Sequence, residues 1–352
     1  MANLIDVSAL TVNPQEVTEV ANVIQEKVFI ISPLSEDHEI EIGINMKTQI
    51  AFVNQLAGGL TRAVGCAPDL GTGLTMSQKY WEPEMFAKRW EHCAAEMNGL
   101  VKLFNKAVKI NPDFYDALDS DELKLVIAAI AHYLEQAIPQ LVWFSDKAAA
   151  ITPAGTMSTG TNLAEFNVIN GLFKQIFAEV NATTGNYVAV AQNGQATYVL
   201  QTLPADAAFD LLTKVVEKAD GRLLADPTAK ILVTRSISDN YRATLRTKNL
   251  NNGYLDVAEN GRPILRFDGY ELKVRDDWDR EIKASFNSGT KLDKPHRILF
   301  TTPSNIPICT TNLDDFGSID SKYDAYKKVN FMDVALRLDA KFLEGYMAVA
   351  AY

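Results

Sequence analysis

The sequence predicts a protein of the α+β class. A long segment that begins at Asp119 carries apolar residues at helical spacing on more than one face. Ile40, Ile42 and Ile44 recur at every second position, as in a half-buried strand. After Tyr187, short helical and strand-like patterns follow one another. The chain has 352 residues, so we expect about two domains, or one domain with large excursions.

The N-terminal part is expected to be extended. Residues 1–38 are predicted to form an arm, with a short helical stretch after Pro14 that breaks at residues 32–37. Strand-like runs at residues 39–53 and 73–80 flank a Gly-rich middle. A two-stranded excursion of this kind is marginally stable in water by itself, so it needs a surface to lie on.

Two helices are expected next. Pro83 suits a first helical turn and Glu84 suits its positive end, which predicts a helix over residues 81–107. The second helix begins near Asp119 and is long and well capped. Pro139 is expected to bend this helix or to end its regular part.

The rest of the chain alternates between the two kinds of element. After a polar loop, the expected helices are residues 164–180, 204–219 and 239–246. The expected strands are residues 187–190, 197–202, 230–233, 270–274 and 297–301. Residues 331–351 alternate at first and end almost wholly apolar, so we expect this C-terminal segment to be buried.

Composition and charge exclude several classes of protein. No stretch is long and apolar enough to span a bilayer, and residues 1–6 lack the basic and apolar regions of a secretory signal. The protein is therefore expected to work in a cytosol, or in something assembled there. Lys and Arg total 34 and Asp and Glu total 44, which gives a net charge of -10. An acidic surface repels phosphate, so dedicated nucleic-acid recognition is not expected.

Neither a metal nor a cofactor is expected. The three cysteines lie far apart and are interpreted as reduced thiols: Cys66, Cys93 and Cys309. The four histidines are equally dispersed: His38, His92, His132 and His296. Such spacing does not predict a metal-ligand cluster.

Two short motifs resemble sites but are better explained as loops. Gly155 and Gly160 have the spacing of a phosphate-binding loop, yet Thr161 and Asn162 stand where Lys and Ser/Thr are required. The Ser-x-x-Lys spacing at residues 288–291 matches some acyl-transfer enzymes, but it lies in a polar loop and not at a buried helix start.

The remaining candidate residues also favour structural roles, so no catalytic residue is assigned. His132 and Glu135 share a helical face, but in the reverse order of the Glu-x-x-His metal pattern. The Trp81 and Trp90 pair is more typical of core packing than of a stacking platform. The carboxylate groups lack the calcium-loop pattern: Asp113, Asp116, Asp119 and Asp121; Asp276, Asp277 and Asp279; Asp314 and Asp315.

The arm and the Gly-rich excursion predict an assembly. These segments are too extended to form cores of their own, yet they contain many apolar residues, among them Ile24, Phe29, Ile42 and Phe52. Those residues must pack against something else. Subunits that lend extended segments to their neighbours are building blocks of assemblies.

The ordered set of segments resembles the major capsid proteins of tailed bacteriophages, whose fold is shared with encapsulin shells and the capsid floor of herpesviruses. The post-spine segment at residues 144–173, the strand at 231–234 and the hairpin-like residues 296–310 carry much of this resemblance. The resemblance implies five regions: an N-terminal arm (1–38), an extended E-loop (39–80), a P-domain (81–200) with a spine helix at about 120–141, an A-domain (201–325), and a return to the P-domain (326–352) that ends in a strand pair.

The resemblance also implies a structural function without enzymatic activity. The protein is expected to form hexamers and pentamers of an icosahedral head, with each E-loop over a neighbour's P-domain. Such a head encloses double-stranded DNA without sequence-specific binding and without a membrane. Portal, scaffold and decoration proteins are the partners that the family implies. The expected location is the virion, after assembly in the host bacterial cytoplasm.

Three alternatives stay open at this stage. An encapsulin-type shell shares the fold and encloses protein cargo. A soluble α+β enzyme with no recognisable motif would be a monomer or a small oligomer with a polar pocket. A phage tail or sheath protein would form helical tubes.

Overall fold

A computed structural model describes residues 34–53, 76–93, 121–149, 157–248, 256–257, 263–310, 320–324 and 329–352 of the chain. In parts of some elements, such as the first half of the long helix, the backbone alone is described. The predicted arm up to residue 33 and the middle of the predicted E-loop, residues 54–75, lie outside the described residues.

The elements follow one another as a mixture of helices and strands. The helices are α1 (Leu34–Asp37), α2 (Asp121–Phe144), α3 (Leu172–Glu179), α4 (Ala207–Glu217), α5 (Gly221–Leu224), α6 (Arg235–Thr247) and α7 (Asp276–Ser285). The strands are β1 (Ile40–Ile42), β2 (Thr48–Val53), β3 (Met76–Trp81), β4 (Glu84–Cys93), β5 (Tyr187–Val188), β6 (Lys230–Val233), β7 (Asp256–Val257), β8 (Pro263–Ile264), β9 (Arg266–Phe267), β10 (Tyr270–Val274), β11 (Ile298–Thr301), β12 (Ile308–Thr310), β13 (Asp320–Asp324), β14 (Val329–Ala340) and β15 (Ala348–Ala351).

A six-stranded mixed sheet has the order β5-β15-β11-β6-β10-β9. Its strands β6 and β10 coincide with the predicted strands and pair in parallel. Side chains alternate across the sheet, as the strand period requires. Leu232 and Leu299 join the apolar cluster around α2, α3 and α7, whereas Ile231 and Phe300 join the cluster of α4 and α6. The sheet is therefore buried on both faces.

A second sheet is built around the long strand β14. β14 pairs with β12 and β13, and it pairs with β4 from Cys93↔Val329 to Glu84↔Leu338. The helix predicted over residues 81–107 is therefore wrong for its first half, which is a strand; residues 94–107 lie outside the described part. Pro83 and Glu84 are local helix signals, and the ladder with a strand far along the chain overrides them.

Helix α2 lies where the long helix was predicted and extends beyond residue 141. Of the two outcomes predicted for Pro139, an end of the helix is wrong, because the helix continues to Phe144. Proline removes one helical hydrogen bond, but the turn after it buries Trp143 and Phe144 completely, which offsets the loss. Leu134 and Ile138 of the same helix are buried as well. None of the helices in the described residues combines the length and apolarity that a membrane span needs.

Aromatic rings form the centre of the core beside α2. The Trp143 ring lies 4.7 Å from the Trp278 ring, edge to face, and 5.1 Å from the Phe173 ring. Trp278 and Phe173 complete the triangle at 4.9 Å. These residues come from α2, α7 and α3, so aromatic packing joins three helices that are distant in sequence.

The helix predicted at residues 164–180 is interrupted. A single 3₁₀ turn, Leu163–Glu165, is followed by α3, which begins after Gly171. The Gly171 amide donates to the Ser145 carbonyl over 2.8 Å, and a Cβ at this position would lie only 2.8 Å from the Ser145 nitrogen. This close approach of two backbones places α3 against the end of α2.

Other local predictions are also corrected. Residues 197–202, predicted as a strand, form turns, and helix α6 begins at Arg235 rather than 239. The break predicted at residues 32–37 contains the one-turn helix α1. The predicted run at residues 39–53 is two strands separated at Gly43, whose φ of 97° suits glycine.

Two predicted strand pairs join different sheets instead. β11 and β12, expected as a hairpin, lie in the six-stranded and five-stranded sheets respectively. β14 and β15, expected as a final pair, are divided in the same way. Leu336, Leu338 and residues 348–351 are buried as predicted, whereas Tyr346 is 39% exposed. The six-stranded sheet combines strands from residues 187–188, 230–301 and 348–351. The domain boundaries stay a prediction.

Candidate functional site

The short motifs considered for chemistry serve as loop contacts. The Ser288 hydroxyl donates to the Lys291 carbonyl and accepts from the Lys291 amide, which closes a local turn. Gly155 lies outside the described residues. Ser158, in the described end of that loop, donates its hydroxyl to the Asn287 carbonyl over 2.6 Å. Both loops are thus fixed to each other through residues 285–291.

The carboxylate cluster at the start of α7 binds cations and an amide of the protein itself. Asp276, Asp277 and Asp279 occupy the first turn of α7, where carboxylates are favourable. Asp277 binds the Arg275 guanidinium, and Asp279 accepts from the Arg235 amide over 2.7 Å. Burial raises the pKa of Asp279 to about 6. Asp113, Asp116, Asp119, Asp314 and Asp315 lie outside the described part.

The His and Cys positions bring no ligand cluster together in the described residues, where no group of three or more metal-binding side chains occurs. Cys309 is a buried free thiol whose pKa burial raises. His38 and His296 are buried in separate places. The side chains of His92, His132, Trp90 and Cys93 and the whole of Cys66 lie outside the described part.

β2 and β3 form a two-stranded hairpin that is separate from the six-stranded and five-stranded sheets. The strands pair from Thr48↔Trp81 to Val53↔Met76, and within the described residues neither strand pairs with any other. Its exposed side chains include Gln49 and Gln78 on opposite strands. Nearby, Met46 is 74% exposed. The structure therefore forms the predicted two-stranded excursion, but with strands at 48–53 and 76–81.

The root of this hairpin is fastened to the body. We use the name hairpin root for residues 45–47 and 79–82. Asp339 of β14 accepts a hydrogen bond from the Glu82 amide over 2.7 Å. Lys79 donates to the Phe342 carbonyl over 2.7 Å, and Arg337 donates to the Asn45 carbonyl. Both sides of the hairpin root are thus bound to β14 or to Phe342, which follows it.

Trp81 is the apolar part of the hairpin root. Its side chain is only 1% exposed, and its indole donates to a Glu41 carboxylate oxygen over 3.2 Å. Lys47 and Glu82 form an exposed ion pair at 2.6 Å, and such surface pairs contribute little to stability. The buried indole and the hydrogen bonds to β14 therefore determine how the hairpin is held.

A second fastening lies where the predicted arm meets the body. The Asp37 carboxylate binds the Arg275 guanidinium at 2.5 Å and the Lys273 ammonium at 2.9 Å. Burial by itself would raise the pKa of Asp37, but these two cations lower it below its ordinary value. The neighbouring His38 donates to the Ile306 carbonyl over 2.8 Å. Ion pairs and a hydrogen bond thus hold α1 and His38 to the body.

An exposed apolar turn lies at residues 198–200. Val199 is 81% exposed, beside the exposed Tyr198 and Leu200. The Tyr198 amide donates to the Thr290 carbonyl over 3.0 Å, and the Gln201 amide group donates to the Leu292 carbonyl over 2.7 Å. The turn is thus held in place with its apolar side chains in water, as at protein–protein contacts.

A groove of about 390 Å³ lies between β4, α2 and residues 162–168. Phe86, Leu134, Leu141 and Val168 contribute its apolar lining, and Lys88 and Glu165 contribute charge. Next to it on β4, Met85 is 62% exposed. The groove thus has an apolar floor and charged edges.

The sequence patterns do not single out the residues that fasten the hairpin. Asp339 is buried and lies between the buried residues Leu338 and Ala340 of β14. A carboxylate within such a run is the available signal, because a buried charge requires partners. Those partners are distant in sequence and follow only from the fold.

The comparisons with known proteins concern the fold. The sequence matches no protein-family model and no curated protein. The capsid of the cyanophage P-SCSP1u is similar with a TM-score of 0.50 at 10% identity, covering 90% of this chain and 86% of that chain. The satellite phage P4 procapsid including the size determination (Sid) protein has a TM-score of 0.48 at 10% identity, covering 95% and 97%. The holo-SrpI encapsulin complex from Synechococcus elongatus PCC 7942 has a TM-score of 0.47 at 11% identity, covering 91% and 87%.

The similarity to the cyanophage capsid establishes the fold over most of the chain. The chain has the α+β fold of tailed-phage major capsid proteins, which confirms the resemblance seen in the sequence. The other two similarities are too low to add to this statement. At these identities the comparisons show the fold alone.

Proposed function

We propose that this chain is the structural subunit of an icosahedral phage head, which assembles into hexamers and pentamers and encloses double-stranded DNA. The observation that carries the proposal is the β2–β3 hairpin. Within the described residues, its strands pair only with each other, while its root is fastened to the body. A hairpin in a capsid-type fold that is held at its root is suited to reach a second copy.

The body of a neighbouring copy is the proposed partner of the hairpin. The groove between β4 and α2 offers an apolar floor. The hairpin root contributes the exposed apolar residues Met46 and Tyr80, and the exposed Ile42 of β1 precedes it in the chain. Contact between these surfaces removes apolar area from water on both copies, which stabilises the pair.

The proposed mechanism is assembly through many modest contacts, without a chemical step. Each copy lends a hairpin and receives one, and the exposed turn at residues 198–200 offers a third contact. Interfaces that form simultaneously strengthen one another. The net charge of -10 suits a wall with no specific grip on DNA. Portal, scaffold and decoration proteins, and location in the virion after cytoplasmic assembly, belong to the same proposal.

Electron microscopy of the purified protein tests this proposal. Closed shells with nuclease-protected DNA in particles from producing cells are the expected result. Shells that contain protein cargo instead of DNA would favour an encapsulin-type function. Helical tubes would favour a tail or sheath protein, and small particles at all concentrations would contradict a shell.

Deletion of residues 55–72 tests the role of the hairpin. The deleted residues lie beyond the described strands, so the subunit is expected to stay folded and soluble. Loss of its distal end is expected to prevent shell formation. Shells of normal size from this variant would contradict the proposed hairpin contact.

A further inference from the structure

One buried carboxylate connects the hairpin root to the longest strand of the body. The Asp339 side chain is 2% exposed. Its Oδ2 accepts from the Glu82 amide over 2.7 Å and lies 3.0 Å from the Lys341 ammonium, and its Oδ1 accepts from the Ala340 amide over 2.9 Å. Glu82 is the first residue after β3, so this bond holds the hairpin at the point where it joins β4.

The hairpin acts mechanically as a lever fixed at one end. Strands of six residues extend about 20 Å, since each residue advances a strand by roughly 3.3 Å. A change of roughly 10° in the direction at the root displaces the far end of such a strand by about 3 Å. Well-packed interfaces do not tolerate displacements of this size. A small change of direction at the hairpin root therefore disturbs a contact made at the far end of the hairpin.

The other charged side chains that bind the hairpin root or belong to it restrain it less specifically. Lys79 is shared between the Phe342 carbonyl and the Glu179 carboxylate. Arg337 reaches the Asn45 carbonyl through a long, flexible side chain. Asp339 is short and buried, and it binds a backbone amide, so it restrains the direction of the chain itself.

We infer that Asp339 is a positioning residue that sets the direction in which the β2–β3 hairpin leaves the body, and that uniform shell size depends on this direction. The second part rests on the proposed function. In a closed shell the copies repeat closely similar contacts, so a small change in direction at each copy alters the angles between copies throughout. Replacement of Asp339 removes the acceptor of the Glu82 amide and leaves that donor without a partner inside the protein.

Hydrogen exchange of the unassembled subunit tests the first part. Asp339→Ala is expected to exchange at least tenfold faster in peptides that cover β2, β3 and Glu82, while β6 stays as in the wild type. Asp339→Asn retains a carbonyl oxygen and is expected to restore part of the protection. Asp146→Ala is the matched control, because Asp146 is equally buried and binds Lys174 at the end of α2. This control is expected to leave the hairpin unchanged.

Two exchange results would overturn the inference. One is unchanged exchange around Glu82 in Asp339→Ala. The other is an equal increase of the exchange rate in β6 and in the hairpin for both Asp339 variants. That result would mean that Asp339 stabilises the whole fold and does not position the hairpin.

Electron microscopy of assembled protein tests the second part. Asp339→Ala is expected to give shells of mixed size or open sheets, whereas Asp146→Ala is expected to give shells of uniform size. Uniform shells from Asp339→Ala would overturn the link to shell size. If the wild type formed no shells, the proposed function would fail, but the exchange results would still decide whether Asp339 positions the hairpin.

Discussion

Asp37 and Arg275 form a buried ion pair between residues that are 238 positions apart in the chain. Asp37 ends the one-turn helix α1, and Arg275 stands between β10 and α7. The guanidinium also binds Asp277 and lies 5.4 Å from the Trp143 ring. One charged contact thus attaches the N-terminal segment to the aromatic core.

Removal of Asp37 is expected to destabilise the unassembled subunit. Asp37→Ala leaves Arg275 buried with one carboxylate fewer, and breaking a buried pair in this way costs about 3 kcal/mol. Glu36→Ala is the control, since Glu36 binds Lys273 from an exposed position and should change the unfolding free energy by less than about 1 kcal/mol. Urea denaturation measures the unfolding free energy of both variants. Equal losses in the two variants would contradict the importance of the buried pair.

The subunit is expected to lose stability as the pH falls from about 6.5 to about 4. Burial, reinforced by the Arg275 charge, lowers the pKa of His38 from 6.5 to about 4. Between these values the unfolded chain binds a proton that the folded chain does not, so acid favours unfolding, by about 3 kcal/mol once the pH is below 4. Above pH 6.5 both states are neutral at this residue and the effect vanishes.

Urea midpoints of the wild type and His38→Gln at pH 7.5 and pH 4.5 check this expectation. The fall in midpoint should be smaller in the variant, which cannot bind the proton. Asp37 and Asp277 also face His38, and both are present in the two proteins. Asp279, with its pKa raised to about 6, acts in the opposite direction in both. An identical fall in the two proteins would show that His38 does not contribute.

Gly171→Ala is expected to loosen the contact between α2 and α3. The new Cβ would lie 2.8 Å from the Ser145 nitrogen and 3.0 Å from the Trp143 carbonyl carbon, both backbone atoms that cannot rotate away. Overpacking of this kind costs about 1–3 kcal/mol. Gly185→Ala is the control, because no atom lies within 4 Å of its added Cβ. Similar unfolding free energies for the two variants would contradict the close approach.

Removal of residues 331–352 is expected to make the protein insoluble. This deletion removes most of β14, which joins β4, β12 and β13, and all of β15, which lies between β5 and β11. Removal of residues 348–352 alone should have the same effect, since it divides the six-stranded sheet. The soluble fraction after expression measures both, and a soluble, shell-forming truncation would contradict the role of the C-terminus.

Elements with strong local patterns were predicted well from the sequence. The periodic apolar residues of α2 and α4, and the short strand-like segments of β6 and β10, lie where predicted. Each of these segments has a hydrophobic period that suits one kind of element. The general fold class follows from such segments, because their order restricts the arrangements that bury them all.

Elements whose local signals are weak or conflicting depended on the tertiary structure. The segment of β4 has helix-start residues at Pro83 and Glu84, yet β14 makes it a strand. Residues 197–202 are β-prone, yet hydrogen bonds to residues 290–292 hold them as turns. In both cases long-range contacts stabilise the chain more than local preferences, which differ by only about 1 kcal/mol per residue.

In the candidate site, too, local sequence patterns predicted one part and long-range contacts decided the other. The glycine-rich excursion and its apolar strands predicted a projecting hairpin and an assembly, because such a segment has too little apolar surface of its own to be stable alone. The residues that hold its root, Asp339 with Glu82 and Lys79 with the Phe342 carbonyl, are more than 250 positions apart in each pair. No local pattern encodes such a pair: only the folding of β14 beside β4 brings the carboxylate to the amide, and burial then makes the bond specific.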